Sequence, residues 1–164
     1  MAASIEPTYV FVYGTLKPGE ANYARYCAGR VASQQPAIAP GYLYALPVGY
    51  PAMIARDQGE EILDRQSQSF TAEGREAVVW GYRLQLKRPD DLALLDELED
   101  YLPQRSPEQN EYYRCAVSLL TPSRQPLGAA WAYLMEPWRV RQVGGYRIAQ
   151  GQWTGHSAAR FFEL

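Results

Sequence analysis

The first stretch suited to chemistry is a strand end near the N-terminus. The apolar run at residues 9–13 stops at Gly14-Thr15 and leads into the turn Lys17-Pro18-Gly19. Where a strand ends at glycine, backbone N–H groups leave the ladder and can point at an anion or a polarised carbonyl. These residues are compatible with a ligand-binding loop and with a simple turn. The candidates are Tyr13, Gly14, Thr15 and Leu16.

The second candidate is a carboxylate, Glu99, in a helix predicted over residues 89–102. Pro89 suits the first helical position, two aspartates follow it, and Pro103 would end the helix. At about 100° per residue, five leucines form an apolar arc of about 160°, and Glu99 falls inside this arc. The leucines are Leu92, Leu94, Leu95, Leu98 and Leu102.

Burying Glu99 on an apolar face would raise its pKa and cost stability unless it is paired. One interpretation is a glutamate at the rim that pairs with an arginine such as Arg114. The other is a general acid/base in a partly dry pocket, where a carboxylate can take and return a proton near neutral pH. The helix geometry alone leaves both open.

Short strand patterns surround these candidates and predict an α+β fold. Strands are expected at residues 9–13, 41–45, 52–55, 77–86, 113–120 and 129–135, with a further short helix at residues 21–27. Many strands with few helices favour a small mixed sheet, able to curl into a barrel, that carries one main helix. Gly81 predicts a bulge or a close backbone approach, and the polar residues 102–111 predict an exposed loop.

Composition limits the class of protein. The 164 residues are 47% hydrophobic, which fits a single domain over residues 1–164, and the net charge of −2 gives no reason to expect nucleic acid. The apolar runs are too short to span a bilayer, and the N-terminus lacks a signal-peptide pattern. Two separated cysteines and one histidine, His156, argue against a metal site and favour a reduced, cytoplasmic protein.

Three segments together resemble the gamma-glutamyl cyclotransferase-like superfamily, in the branch containing gamma-glutamylamine cyclotransferase. They are Val10-Phe11-Val12-Tyr13-Gly14-Thr15-Leu16, Leu95-Asp96-Glu97-Leu98-Glu99-Asp100-Tyr101 and Tyr112-Tyr113-Arg114. The segments around Gly41, Gly49 and Gly81 are similar to that family too. The motifs cover about residues 8–135, and residues 136–164 are predicted to be a C-terminal extension.

The resemblance implies a compact barrel-like fold with its site at one end. It implies that residues 13–16 hold a gamma-glutamyl group through backbone atoms and that Glu99 is the acid/base. The family reaction uses no cofactor: the substrate's alpha-amino group attacks its own side-chain carbonyl, which releases 5-oxoproline and an amine or amino acid. Tyr112 and Tyr133 are further candidates for substrate binding, and Arg114 is expected to be a structural ion-pair partner.

Two features depart from the family pattern. Residues 102–111 form a longer loop than the compact members have, and the aromatic and basic tail after residue 136 lies outside the motifs. The leaving amine and the choice between monomer and homodimer therefore stay open. A non-catalytic small-ligand-binding or protein-interaction module on the same fold is the alternative function.

Overall fold

The computed structural model describes residues 7–56 and 77–154. These residues contain the strands β1 (Thr8–Val12), β2 (Val31–Ala45), β3 (Pro51–Ala55), β4 (Val78–Leu86), β5 (Tyr113–Leu120), β6 (Pro126–Leu134) and β7 (Tyr146–Arg147). They also contain the helices α1 (Tyr23–Tyr26), α2 (Asp91–Leu98) and α3 (Pro137–Val143), and a 3-10 turn at Pro107–Gln109.

The strands form a mixed sheet that closes into a small barrel. The order β3-β2-β4-β1-β6-β5 is completed by a pairing of β5 with β2, at Leu120 and Ile38. Strands β1 and β6 are parallel, and the other pairs are antiparallel. The first part of β2 pairs with β4, and its last part pairs with β3 and β7. The predicted α+β, barrel-like fold is thus confirmed.

Strand β1 lies in the middle of the sheet and is covered on both faces. Val10 and Val12 pack into a cluster that includes Leu95 of α2, whereas Phe11 and Tyr13 pack into a second cluster with inward-facing residues of the other barrel strands. Side chains alternate across a strand, so a strand buried on both faces must be apolar at successive positions. This explains the continuous apolar run that precedes Tyr13.

Gly81 in β4 marks a close approach between strands. A Cβ atom at this position would lie 2.1 Å from the carbonyl oxygen of Val12. Ala37 and Gly81 stay in regular register, and the irregularity between β2 and β4 falls at Val31 and Ser33 instead. Of the two predictions for Gly81, the close approach is therefore the correct one.

The predicted strands are present with shifted ends, and β5 has the predicted bounds. Nothing in the sequence pattern predicted the first half of β2, whose residues Ala32, Ser33 and Gln34 are exposed. Helix α3 was missed as well, although Pro137 stands at its start and Gly144, with φ of 77°, caps its end.

The prediction that α2 runs to Leu102 is wrong. The helix ends at Leu98, with Glu99 as its C-cap. Leu102 lies beyond it and is 44% exposed, so it does not belong to the buried face. The helix therefore ends before Pro103 is reached.

Of the tail aromatics, Trp153 is buried and packs into the same cluster as Phe11. The last ten residues of the predicted tail, 155–164, which include His156, lie outside the described residues. Within residues 7–56 and 77–154, no helix has the length and hydrophobicity needed to cross a membrane.

Candidate active site

A cavity of about 160 Å³ opens where β1 ends. All seven residues predicted for the site line it: Tyr13, Gly14, Thr15, Leu16, Glu99, Tyr112 and Tyr133. The other lining residues are Phe11, Val12, Asn22, Tyr50, Pro51, Leu98 and Glu111. Residues from distant parts of the chain therefore meet at one end of the barrel.

The loop after β1, at residues 14–16, lines this cavity. The carbonyls of Gly14 and Thr15 accept hydrogen bonds from the amides of Lys17 and Asn22, at 3.0 and 2.8 Å. Within the described residues, the N–H groups of Gly14, Thr15 and Leu16 donate to no backbone carbonyl. Neighbouring free N–H groups of this kind favour the binding of an anion or a developing oxyanion.

Two contacts fix the position of this loop. A Cβ atom on Gly14 would come within 2.5 Å of the Pro51 ring, so only glycine lets the loop lie against the start of β3. The amide nitrogen Nδ2 of Asn22 donates to the Thr15 hydroxyl oxygen over 3.0 Å. The hydroxyl proton of Thr15 can then point elsewhere, because the oxygen accepts from Asn22.

The hydroxyl groups of two of the tyrosines hydrogen-bond to backbone groups in the walls of the cavity. Tyr13 donates to the carbonyl of Tyr133 over 2.5 Å and accepts from the amide of Met53 over 3.2 Å. Tyr112 donates to the carbonyl of Pro51 over 2.7 Å. Both side chains are buried. They tie β1, β3 and β6 together, so any contact that Tyr13 makes with a ligand would use its ring or backbone.

Glu99 is positioned by the way α2 ends. Asp100 adopts a left-handed backbone conformation, with φ of 53°. Its amide donates to the carbonyl of Glu97 over 3.2 Å, and the amide of Tyr101 donates to that of Asp96 over 2.9 Å. This is the Schellman pattern that usually contains glycine. The guanidinium of Arg105 binds both the carbonyl and the carboxylate of Asp100, at 2.7 and 3.0 Å, and supports the strained residue.

Burial raises the pKa of Glu99 to about 8, and the negative charge of Glu111 adds to the shift. The C-terminal end of a helix carries partial negative charge, which also disfavours an ionised carboxylate there. The protonated form of Glu99 is therefore favoured at neutral pH. A carboxyl group that titrates near neutral pH can act as an acid and as a base.

A second acidic residue of α2, Asp96, lies in a different environment. Its Oδ1 accepts a hydrogen bond from the Tyr133 hydroxyl, and its Oδ2 pairs with Arg114, each over 2.6 Å. The Arg114 guanidinium also lies over the rings of Trp131 and Tyr101, 5.0 and 5.5 Å from their centroids. Arg114 is thus a structural ion-pair partner of Asp96, not of Glu99.

Three polar cavity residues were not predicted as site residues: Asn22, Tyr50 and Glu111. Tyr50 donates a short hydrogen bond to Oε1 of Glu111. The amide of Glu111 donates to the carbonyl of Asp100 over 3.3 Å, so the chain returns to the end of α2 after the polar loop. The prediction of an exposed loop holds for residues 102–104 and 106–109, but Asn110 is buried and Glu111 faces the cavity. No local sequence pattern predicts this return.

A second cavity of about 290 Å³ lies next to the first. Tyr50 and Glu111 line both cavities and so stand between them. The remaining walls of the second cavity are Leu46, Val48, Asp100, Glu108, Gln109, Met135, Arg139 and Val143.

Solved structures with the same fold come from several kingdoms. An AIG2-like protein from Mus musculus has a TM-score of 0.59 at 16% identity, with 91% of this chain and 89% of that chain covered. An Arabidopsis thaliana protein has a TM-score of 0.53 at 20% identity, covering 98% and 86%. YkqA from Bacillus subtilis has a TM-score of 0.58 at 18% identity; the match covers 96% of this chain but only 44% of YkqA.

No curated protein matches the chain significantly. A family model does match it, over residues 10–155, which extends beyond the motifs recognised in the sequence and includes α3 and Trp153. The end of β1, the C-terminus of α2 and the start of β5, which carry the candidate site, all fall within this match. The chain belongs to the gamma-glutamyl cyclotransferase, AIG2-like family.

Proposed function

We propose that the protein is a cyclotransferase that releases 5-oxoproline and a free amine or amino acid from a gamma-glutamyl amide. The observation that supports this most is the placement of Glu99, with its pKa raised to about 8, in the same cavity as the unpaired N–H groups of residues 14–16. The cavity thus combines a proton-transfer group with a cradle for negative charge. We further propose that the protein works in the cytoplasm.

In the proposed reaction, the substrate supplies both the nucleophile and the electrophile. Its alpha-amino nitrogen attacks its side-chain carbonyl carbon, the new C–N bond closes a five-membered ring, and the C–N bond to the leaving amine breaks. Two protons move from the attacking nitrogen to the leaving nitrogen. Holding the substrate folded supplies much of the rate enhancement, because ring closure is then intramolecular.

Glu99 is the proposed carrier of these protons. As a carboxylate it accepts a proton from the alpha-ammonium, and as a carboxylic acid it returns the proton to the departing nitrogen. The N–H groups of Gly14, Thr15 and Leu16 would bind the substrate's alpha-carboxylate or the oxyanion of the tetrahedral intermediate. Tyr133 and Tyr112 would contact the substrate as wall residues. The scheme invokes no cofactor.

The test is a substrate panel. Purified protein is incubated with gamma-glutamyl amines and gamma-glutamyl amino acids, and 5-oxoproline is measured. We expect product from at least one class and its loss in Glu99→Gln. Product formation that survives this substitution would refute the mechanism, and saturable binding without turnover would support the alternative, a non-catalytic binding module.

A further inference from the structure

The cavity contains two carboxylates with different surroundings. Glu99 projects from the end of α2, and Glu111 faces it from the segment that leads into β5. The Tyr50 hydroxyl donates to Glu111, and the backbone bond from the Glu111 amide to Asp100 fixes the distance between the two segments. Two carboxyl groups that share one small cavity cannot both ionise at low cost.

We propose that Glu111 is a positioning residue for the proposed reaction: its charge, anchored by Tyr50, adds to burial in favouring the protonated form of Glu99. Glu111 acts through Glu99 and does not need to touch the reacting atoms.

Among the titratable neighbours of Glu99, Glu111 is the group whose charge can favour the protonated form of Glu99. The titratable groups that face Glu99 from other elements are Tyr13, Tyr50, Tyr112, Tyr133 and Glu111. Burial raises the pKa of each of these tyrosines above 10, so they stay neutral over the range in which Glu99 titrates. On its own helix, Asp96 is already bound by Arg114.

The nearby cations are engaged elsewhere. Among the described residues, Arg114 pairs with Asp96, Arg105 with Asp100, and the Lys17 ammonium donates to the carbonyl of Trp153. Arg139, which lines the second cavity together with Glu111, donates to the carbonyl of Glu108. The negative charge of Glu111 therefore acts on Glu99 across the small cavity that both residues line. Glu111 is the second cause, after burial, of the raised pKa of Glu99.

This arrangement would couple the ionisation of Glu99 to substrate arrival. The incoming alpha-ammonium brings a positive charge that offsets the Glu111 carboxylate, and the proton on Glu99 is then more easily lost. Glu99 would become a base only when there is an amine to deprotonate. This consequence depends on the function proposed above, whereas the charge coupling between the two carboxylates does not.

The direct test is a ¹³C NMR titration of the glutamate carboxyl carbons in the intact protein, with the Glu99 resonance assigned by its absence in Glu99→Gln. In Glu111→Gln we expect the Glu99 midpoint to fall by roughly 0.5–1.5 pH units and to stay above the ordinary glutamate range, because burial remains. Glutamine has the same shape and can still accept from Tyr50, so the fold should be preserved. An unchanged midpoint would overturn the proposal.

Two further variants serve as controls. Glu108→Gln removes a carboxylate from the same loop that lines only the second cavity, and the Glu99 midpoint should not move. Glu111→Asp keeps the charge and should keep most of the upward shift. A midpoint that falls equally in Glu108→Gln and Glu111→Gln would mean a general charge effect, and the proposal would be wrong.

A kinetic readout separates this proposal from the proposed function. If 5-oxoproline is formed, the acidic limb of the kcat/KM profile should move to lower pH in Glu111→Gln by the same amount as the NMR midpoint. If no substrate is turned over but the midpoint moves, the cyclotransferase proposal fails and the coupling stands. If turnover occurs and neither readout moves, the coupling alone fails.

Discussion

Helix α2 carries two acidic residues that face the protein, Asp96 and, at its C-cap, Glu99. Their electrostatic surroundings are opposite. Asp96 accepts a hydrogen bond from the Tyr133 hydroxyl and pairs with Arg114, each over 2.6 Å. Glu99, at the end of the same helix, is buried, and the negative charge of Glu111 repels its ionised form. The first arrangement compensates the charge and stabilises the contact of α2 with β5 and β6. The second leaves the ionised form of Glu99 without a compensating charge, which costs stability as pH rises and is typical of groups that exchange protons.

This contrast also explains why the identity of the paired residue matters. Had Arg114 reached Glu99, the carboxylate would be held ionised and could not return a proton near neutral pH. Arg114 instead stands opposite Tyr133 in the β5–β6 ladder, and both converge on Asp96. Asp96 therefore keeps the arginine away from the candidate catalytic group.

The strongest test of the contrast is the activity of Glu99→Gln. General acid–base catalysis contributes about 10²–10⁴-fold, so we expect 5-oxoproline formation to fall by at least 10²-fold. Glu97→Gln, an exposed change on the same helix, should leave the rate unchanged. Equal losses in the two variants would show that the helix, not the proton-transfer group, was affected.

The pH dependence of stability should show the free-energy cost of ionising Glu99 in the folded protein. Its pKa rises from 4.5 to about 8 on folding, so the folded protein binds this proton more tightly than the unfolded chain does. The resulting stabilisation is fully present below pH 4.5 and is lost as pH rises through about 8. Glu99→Gln removes this loss and should be more stable than the parent at pH 8.5 by roughly 2–4 kcal/mol.

Urea denaturation at several pH values measures this difference. The two proteins should differ little near pH 4, and the gap should widen steadily towards pH 8.5. A gap that is constant across this range would mean that Glu99 titrates like an ordinary surface carboxyl group.

The paired carboxylate should give the opposite result. Asp96→Asn leaves Arg114 partly buried without its partner, and we expect a loss of roughly 1–3 kcal/mol in the free energy of unfolding. Urea denaturation at pH 7 is the measurement. A variant as stable as the parent would indicate that the pair contributes no net stability and that the comparison with Glu99 overstates the role of Asp96.

The smallest expected effect is that of Tyr133→Phe. It removes one hydrogen bond to Asp96 but keeps the ring in the cavity wall, so we expect a destabilisation of roughly 0.5–1.5 kcal/mol. Because Arg114 still holds Asp96, the loss should be smaller than in Asp96→Asn. A much larger fall in 5-oxoproline formation than in stability would instead place the Tyr133 hydroxyl in the chemistry.

The sequence contained enough to find the main features of the site. The strand end at Gly14 and the position of Glu99 on an apolar helix face are local patterns, and the family resemblance linked them. Strand β5 was predicted with its observed bounds because its residues follow a regular strand pattern between clear turn signals.

The features that were missed depend on contacts made at a distance. Asp100 adopts a conformation that sequence rules reserve for glycine or asparagine, since Arg105 and the amide of Glu111 bind its polar groups. Glu111 belongs to a polar run, and no local pattern shows that its end returns to the cavity. The exposed half of β2 is specified by its pairing with β4 more than by its own composition.

The closure of the barrel bears on how the site would form during folding. The contact between β2 and β5 joins Ile38 to Leu120, and β1 pairs with β6, so strands from the two ends of the chain must meet before the cavity has walls. Contacts between residues far apart in sequence form slowly, because the chain entropy of a long loop is lost first. The proposed activity should therefore appear with the final cooperative step of folding. An incomplete nascent chain that lacks β6 would have Glu99 but no cavity around it.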